Sequence, residues 1–196
     1  MKGGTKSRLE ELKSDLKTTD KVQELQKKLY LKAKSNVGFR FYALYDKVYQ
    51  TDVLRKAWER VKANKGAVGI DGQTFEEIES TGIDKFLEGI KRELKASIYR
   101  PQPARRVYIP KPDGAKRPLS IPTIKDRIVQ AALKLIIEPI FEADFQECSY
   151  GFRPNRSAQQ AALEVRKLLN FGYKEVIETD IEDCFGSIPH RELLDM

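Results

Sequence analysis

The segment Arg106–Pro122 (RVYIPKPDGAKRPLSIP) in the middle of the chain predicts a β-hairpin with several positive charges. Its centre, Pro112–Gly114, is a strong turn signal, and flanking residues such as Val107 and Ile109 are typical of strands. The cations close to the turn are Lys111, Lys116 and Arg117. A turn with this charge is suited to holding a polyphosphate, although exposed turn charges are often only solvated.

A second segment, Val176–Phe185 (VIETDIEDCF), predicts a strand that ends in a carboxylate. Asp180 comes at the carboxyl end of the apolar run, where its side chain could face a cleft. The Asp180 carboxylate and the backbone carbonyl of Ile181 are oxygen donors of the kind that Mg²⁺ prefers. Together with the hairpin cations, this favours metal-assisted phosphoryl or nucleotidyl transfer. The alternative for Asp180 is a strand-end cap.

The charge balance points to an anionic partner. The net charge is +7, and the region from Lys91 to Lys134 holds twelve Lys or Arg against three acids. Nucleic acid is the leading interpretation, and an ordinary solvated surface is the alternative. Two cysteines and one histidine are too few for a disulfide framework or a familiar zinc site. Without a secretory h-region or an apolar run of the ~18 residues that a membrane span needs, we expect an intracellular, soluble protein.

The rest of the chain is mostly helical in pattern, which makes the predicted fold class α+β. Apolar residues recur at helical spacing in several stretches. Pro139 is expected to kink or end the helix that opens at Thr123, and Ser157 with Gln160 predicts a capping box for the last helix. The predicted helices are a pair within Ser7–Lys34 broken near Thr18–Asp20, one after Asp52, Glu76–Ala96, one opening at Thr123, and Ser157–Asn170.

Several motifs together resemble bacterial reverse transcriptases of the group II intron maturase type. The resemblance covers about three-quarters of the chain, from the fingers to the upper palm, and Phe39–Ala57 looks like the N-terminal extension of that family. The matching residues are Asn64–Gly72 (NKGAVGIDG), Tyr99–Pro101, Val107–Lys111 (VYIPK), Arg117–Pro122 (RPLSIP), Asp126–Gln130 (DRIVQ), Glu138–Glu142 (EPIFE) and Ser149–Pro154 (SYGFRP).

The resemblance implies RNA-directed DNA polymerisation with Mg²⁺, or Mn²⁺ as an alternative. Asp180 aligns with the first metal-binding aspartate, and Lys111 and Arg117 with the pair that grips the dNTP triphosphate. Phe185 aligns with the aromatic residue that excludes a ribose 2′-hydroxyl; taken alone, core packing would explain it. Glu182 and Asp183 are local caps or dNTP-side residues. Where the family usually has a second Phe and an Asp, this chain has Cys184 and Gly186.

The resemblance also implies a right-hand polymerase: a helical N-terminal extension (1–62), fingers (63–174) and the start of a palm (175–196). The Tyr-x-Asp-Asp motif is expected beyond Met196, so this chain alone is expected to be inactive, as a truncated piece or one half of a split protein. The expected partners are group II intron RNA, an RNA template with a DNA primer, and dNTP in the bacterial cytoplasm, with a homodimer left open.

Binding to intron RNA is expected from the basic surface. The candidate RNA-binding residues, chosen by charge, are Lys27, Lys28, Lys32, Lys34, Arg105 and Arg106. Two other functions stay open: a splicing cofactor that binds RNA without polymerase chemistry, and a reverse transcriptase of a CRISPR or phage-defence system.

Overall fold

The computed structural model describes residues 21–36, 38–110, 112, 114 and 116–195. The chain divides into two compact units, of which the first ends at Phe145 and the second begins at Gln146. The first unit consists mainly of helices with one two-stranded sheet, whereas the second holds two helices among turns and irregular segments. The predicted helix pair lies partly outside the described residues, since its part before residue 21 is among the positions left undescribed.

The first unit is built around one long helix. Its elements are α1 (residues 21–35), α2 (Tyr45–Val48), α3 (Thr51–Ala63), α4 (Phe75–Thr81), α5 (Ile83–Lys95), β1 (Arg105–Pro110), β2 (Lys116–Ile121) and α6 (Ile124–Asp144). The α3 helix packs along α6 and also contacts α5. The predicted apolar stripes are confirmed here, because Leu54, Ile90 and Ile128 are almost fully buried. Each buried Leu or Ile contributes about 2 kcal/mol through removal from water.

Gln26 and Lys34 of α1 donate hydrogen bonds to backbone carbonyls of α6, and Val22 and Leu29 are buried in the core of this unit. Pro139 lies inside α6 and has no N–H, so the carbonyl of Leu135 lacks its intrahelical donor. The side-chain amide of Gln26 donates to that carbonyl at 2.9 Å. Of the two alternatives expected at Pro139, an end of the helix is wrong: α6 continues to Asp144, and Gln26 satisfies the carbonyl that the proline leaves free.

The prediction of a single helix over Glu76–Ala96 was wrong, because the structure has two helices, α4 and α5, in this region. Gly82 separates α4 from α5 with φ of +104°, a backbone conformation that glycine adopts without steric cost. The α4 helix begins with a capping box in which Thr74 and Glu77 exchange hydrogen bonds. Because the apolar spacing continues on both sides of Gly82, the sequence pattern did not indicate the break between the two helices.

The predicted hairpin is confirmed. The β1 and β2 strands pair antiparallel, in a register that runs from Arg105 opposite Ile121 to Pro110 opposite Lys116. Gly114, in the connecting turn, has φ of +80°. Apart from half-buried Arg105 and Ile121 at its base, every residue of the two strands is exposed.

The second unit contains α7 (Ala158–Asn170) and α8 (His190–Asp195). The predicted capping box of Ser157 and Gln160 is confirmed. The predicted strand before Asp180 was wrong, because residues 173–181 form neither helix nor strand, and the described part of the chain holds strands only in the hairpin. A strand is defined by its ladder, and nothing pairs with this segment among the described residues. Within the described residues, no helix is both long and apolar enough to cross a bilayer.

Candidate functional site

The two described cations nearest the hairpin turn, Lys116 and Arg117, lie on opposite faces of β2. Successive side chains of a strand alternate, so Lys116 and Arg117 point away from each other. Arg117 lies opposite Ile109 in the ladder and shares its face with Leu119. Arg117 is exposed, as a group that binds an external anion must be. Lys111, the other predicted triphosphate residue, lies outside the described residues.

A buried carboxylate joins the two ends of the hairpin. Asp126, in the first turn of α6, is only 2% exposed. It accepts hydrogen bonds from the Tyr99 hydroxyl at 2.6 Å, the Thr123 hydroxyl at 2.7 Å and the Gln102 backbone N–H at 3.2 Å. Tyr99 and Gln102 precede β1, whereas Thr123 follows β2. We call this set the hairpin clamp: Tyr99, Gln102, Thr123 and Asp126.

Burial and the bond to Asp126 raise the pKa of Tyr99 well above its usual value, in that order of importance. The phenol therefore keeps its proton and stays a donor to the carboxylate across the neutral range. Sequence reasoning missed the clamp, although it used Tyr99 and Asp126 as parts of motifs. The available signal was an aspartate three residues after a helix-capping threonine at the start of an apolar stripe.

The glycine-rich loop at residues 64–72 is packed against the same end of α6. Buried Gly69 lies so close to this end that a Cβ there would come within 2.6 Å of the Thr123 Cα. The Arg127 guanidinium donates to the Ala67 carbonyl at 2.7 Å and lies over the Phe75 ring, 5.8 Å from its centroid. The Asp71 carboxylate caps the turn at the end of this loop, since it accepts from the Gln73 N–H at 3.4 Å. Sequence reasoning missed the contact role of Arg127.

Asp180 lies in an exposed stretch of the second unit. One oxygen of its carboxylate accepts from the backbone N–H of Ile181 at 2.9 Å. Asp183 has φ of +44°, and its carboxylate lies against Gly186, where a Cβ would come into steric conflict with it. The Asp183 carboxylate therefore lies beside the Gly186 backbone. Glu182 is exposed.

Phe185 is 86% exposed. The core-packing interpretation of this ring is wrong for the described structure, since a core side chain is shielded from water. An exposed ring five residues after Asp180 is available to contact a ligand.

The described residues supply only part of the set of donors that a magnesium site needs. Asp180 and the Ile181 carbonyl have the oxygen chemistry that Mg²⁺ prefers, and both residues are exposed. Among the described residues, however, no three His, Cys, Asp or Glu side chains are grouped so as to hold a metal ion. These residues fit part of a magnesium site, and further carboxylates are needed for a two-metal site.

The predicted RNA-binding lysines of α1 differ in their contacts. Lys28 pairs with Glu24 at 2.6 Å, and this hydrogen bond lowers the pKa of the glutamate. Lys32 lies over the Phe39 ring, 4.3 Å from its centroid, and Lys34 donates to the Ala143 carbonyl near the end of α6 at 3.0 Å. Lys27 is exposed. All four side chains can reach solvent, but Lys34 also has a structural contact.

The two candidate arginines of the hairpin base also differ. Arg106 is exposed, whereas Arg105 is half-buried. The Arg105 Nε atom is buried and makes no hydrogen bond to any part of the chain that the structure describes. Arg106 is therefore the more accessible of the two to an RNA phosphate.

Sequence comparisons agree with the motifs. Residues 109–196 match the family described as "Reverse transcriptase (RNA-dependent DNA polymerase)". The chain is 38% identical over 179 residues to "Protein YkfC" of Escherichia coli (strain K12), covering 88% of this chain and 47% of that protein. It is 35% identical over 165 residues to "Group II intron-encoded protein LtrA" of Lactococcus lactis subsp. cremoris, covering 83% of this chain and 27% of that protein.

A fungal relative extends the pattern. "Putative COX1/OXI3 intron 1 protein" of Saccharomyces cerevisiae is 36% identical over 139 residues, or 71% of this chain and 16% of that protein. The chain thus spans less than half the length of each relative named here. The resemblance seen in the motifs is confirmed: this chain belongs with the reverse transcriptases and maturases encoded by group II introns.

Proposed function

We propose that this chain is the fingers and first palm segment of an RNA-directed DNA polymerase. In this reaction the primer 3′-hydroxyl attacks the α-phosphate of an incoming dNTP, a phosphodiester bond forms and pyrophosphate leaves. The observation that carries the proposal is the reverse transcriptase family match over residues 109–196. That range includes the exposed Arg117 of the hairpin and the exposed Asp180.

Each site residue has a role in this proposal. Arg117 and Lys111 would bind the triphosphate through charge-assisted hydrogen bonds, and Glu182 and Asp183 are further candidates for contact with dNTP. Asp180 and the Ile181 carbonyl would hold Mg²⁺ or Mn²⁺, which when bound supplies positive charge at the reacting phosphate. The Phe185 ring would lie beneath the sugar and leave no space for a 2′-hydroxyl.

The proposed architecture follows the family: an N-terminal extension to residue 62, fingers at 63–174 and palm from 175. We propose an RNA template with a DNA primer, together with dNTP, as the substrates, and the bacterial cytoplasm as the setting. A homodimer is a further proposal. The name of LtrA supports a role with group II introns, and the names of two Arabidopsis thaliana relatives, "Nuclear intron maturase 1, mitochondrial" and "Nuclear intron maturase 2, mitochondrial", support binding of intron RNA as a maturase.

Two other functions remain as rivals. A splicing cofactor without polymerase chemistry would use the basic surface alone, whereas a CRISPR or phage-defence reverse transcriptase would keep the chemistry in another setting. Primer extension in the presence of Mg²⁺ separates the first rival from the main proposal. The test uses a form of the protein that contains the full catalytic domain, assayed beside this chain.

Loss of the guanidinium at Arg117 is expected to weaken dNTP binding. Arg117→Ala should raise the apparent KM for dNTP about tenfold with a smaller effect on kcat, because the interaction with the triphosphate is made in the ground state as well. Steady-state primer extension at increasing dNTP concentrations measures both constants. The matched control is Arg60→Ala, which removes an exposed arginine from α3. Equal KM values for the two variants would show that Arg117 is an exposed turn charge with no role in dNTP binding.

Two lysines of α1 should separate RNA binding from stability. Lys27→Ala is expected to weaken RNA binding and to reduce the slope of log K against log salt by about 1, as loss of one phosphate contact does. Lys34→Ala removes the bond to the Ala143 carbonyl, so it should also lower the unfolding temperature. Filter binding at several salt concentrations and thermal denaturation measure the two effects. A salt slope that neither variant changes would contradict RNA binding by this helix.

A further inference from the structure

We propose that Asp126 is a positioning residue that sets the direction in which the cationic hairpin projects. It acts through Tyr99 and Thr123, and through the hairpin it controls how Arg117 meets a dNTP triphosphate. The control of the hairpin direction by Asp126 stands by itself. The effect on Arg117 and dNTP rests on the proposed function, because it requires that the hairpin binds the nucleotide.

The hairpin needs such a device because it is an exposed arm. Its strands bury nothing beyond the first pair of residues, Arg105 and Ile121, and its substantial packing is between β1 and β2. A ladder of this kind keeps the two strands together but does not fix the angle at which the pair leaves the protein. That angle is decided at the two points where the arm joins the helices.

The hairpin clamp connects the segment before β1 and the segment after β2 to a single carboxylate, that of Asp126. Gln102, three residues before β1, donates its N–H to Asp126, and Thr123, two residues after β2, donates its hydroxyl. The Thr123 hydroxyl in turn accepts from the Asp126 N–H at 3.1 Å and so caps α6. The segment that leads into β1, the segment that follows β2 and the first turn of α6 therefore share one set of hydrogen bonds.

Tyr99 ties this set to the helix before the hairpin. Its hydroxyl donates to Asp126 at 2.6 Å, and its backbone N–H bonds to the Glu93 carbonyl in α5 at 3.3 Å. The adjacent Lys125 of α6 pairs with the Glu93 carboxylate. Because Asp126 is buried, a lost donor is not simply replaced by bulk water. The geometry at the base of the arm should therefore depend on each member.

The first test measures the arm itself and needs no polymerase activity. Spin labels are placed at Lys116→Cys on the arm and Lys134→Cys on α6, with Cys148 and Cys184, both exposed and free, changed to serine. Double electron–electron resonance then gives the distribution of distances between the two labels. Tyr99→Phe and Thr123→Val should each widen this distribution about 1.5-fold, because each removes a donor to Asp126 with little change in side-chain shape. Thr123→Val also removes the acceptor for the Asp126 N–H, so Tyr99→Phe is the cleaner test of the two.

Two variants serve as matched controls. Thr123→Ser keeps the hydroxyl and should retain the narrow distribution. Tyr45→Phe removes another phenol hydroxyl of the same unit, which donates to the Leu94 carbonyl at 2.7 Å and touches neither end of the hairpin; it too should leave the distribution narrow. Circular dichroism first establishes that each variant folds. Distributions as narrow in Tyr99→Phe and Thr123→Val as in the parent protein would overturn the inference, whatever the protein polymerises.

The second test links the arm to the nucleotide. In a polymerase-active form of the protein, Tyr99→Phe should raise the KM for dNTP about fivefold and change kcat less than about twofold. A general loss of structure would instead lower the active fraction and hence kcat. A wider distance distribution in Tyr99→Phe together with an unchanged KM would overturn the proposed link between the hairpin direction and dNTP binding. If Arg117→Ala also leaves KM unchanged, the proposed dNTP role of the hairpin fails, while the positioning of the arm by Asp126 stands.

Discussion

Asp180→Asn is expected to reduce primer extension by at least about 1000-fold in a polymerase-active form of the protein. The substitution keeps the size of the side chain but replaces a charged oxygen donor with a neutral amide, which is a poor ligand for Mg²⁺. RNA affinity should stay within about twofold, because phosphate binding depends on the basic residues. Single-turnover extension with saturating dNTP measures the chemistry, and filter binding measures the affinity.

The matched control for Asp180 is Glu178→Gln, which neutralises another exposed carboxylate two residues earlier. This control should retain activity close to that of the parent protein. Extension that persists in Asp180→Asn would remove the metal assignment and leave Asp180 only its local hydrogen bond from the Ile181 N–H. If both variants lose activity equally, the charge of the segment, rather than a specific ligand at Asp180, is what matters.

Gly69→Ala is expected to destabilise the first unit by about 2 kcal/mol. The added Cβ would come within 2.6 Å of the Cα and 2.8 Å of the nitrogen of Thr123. These are backbone atoms at the start of α6, so relief requires either the loop or the helix to move. Since Thr123 also belongs to the hairpin clamp, the strain is applied where the hairpin is anchored. Chemical denaturation of the chain followed by circular dichroism measures the loss.

Gly89→Ala provides the opposite expectation in the same unit. Gly89 lies inside α5 and a Cβ there meets nothing within 4 Å. Alanine has the higher helix propensity, so the variant should be stabilised by about 0.5–1 kcal/mol. Equal effects of the two substitutions, or a Gly69→Ala variant as stable as the parent protein, would contradict the close contact between the loop and α6.

Local patterns predicted the elements whose causes are local. The apolar spacing around Leu54 and Ile128 reports a buried helix face directly. The turn signal around Gly114 and the capping pair of Ser157 and Gln160 act over a few residues, so their effects could be inferred before any packing was known. The errors arose where local signals competed. Gly82 interrupted a continuous apolar pattern, and Pro139 was accommodated by a donor more than 100 residues away.

The candidate site shows the same division. The identity of Asp180, Arg117 and Phe185 as candidates came from motifs and family resemblance, which need no coordinates. Their exposure did not follow from the motifs, because a phenylalanine alone is more often buried. The strand predicted before Asp180 is absent from the described structure because an apolar alternating run forms a strand only when another strand supplies its hydrogen bonds.

From the order of residues alone, one obtains the helix stripes, the hairpin, the basic character and the family. Folding was needed to bring Gln26 to the carbonyl freed by Pro139, Gly69 to the Thr123 backbone, and Tyr99 to Asp126. Periodicity and capping act over one or two turns of chain and leave a direct trace in sequence. Contacts between distant residues depend on how whole elements pack, and no short pattern records which carbonyl, glycine or carboxylate will meet its partner.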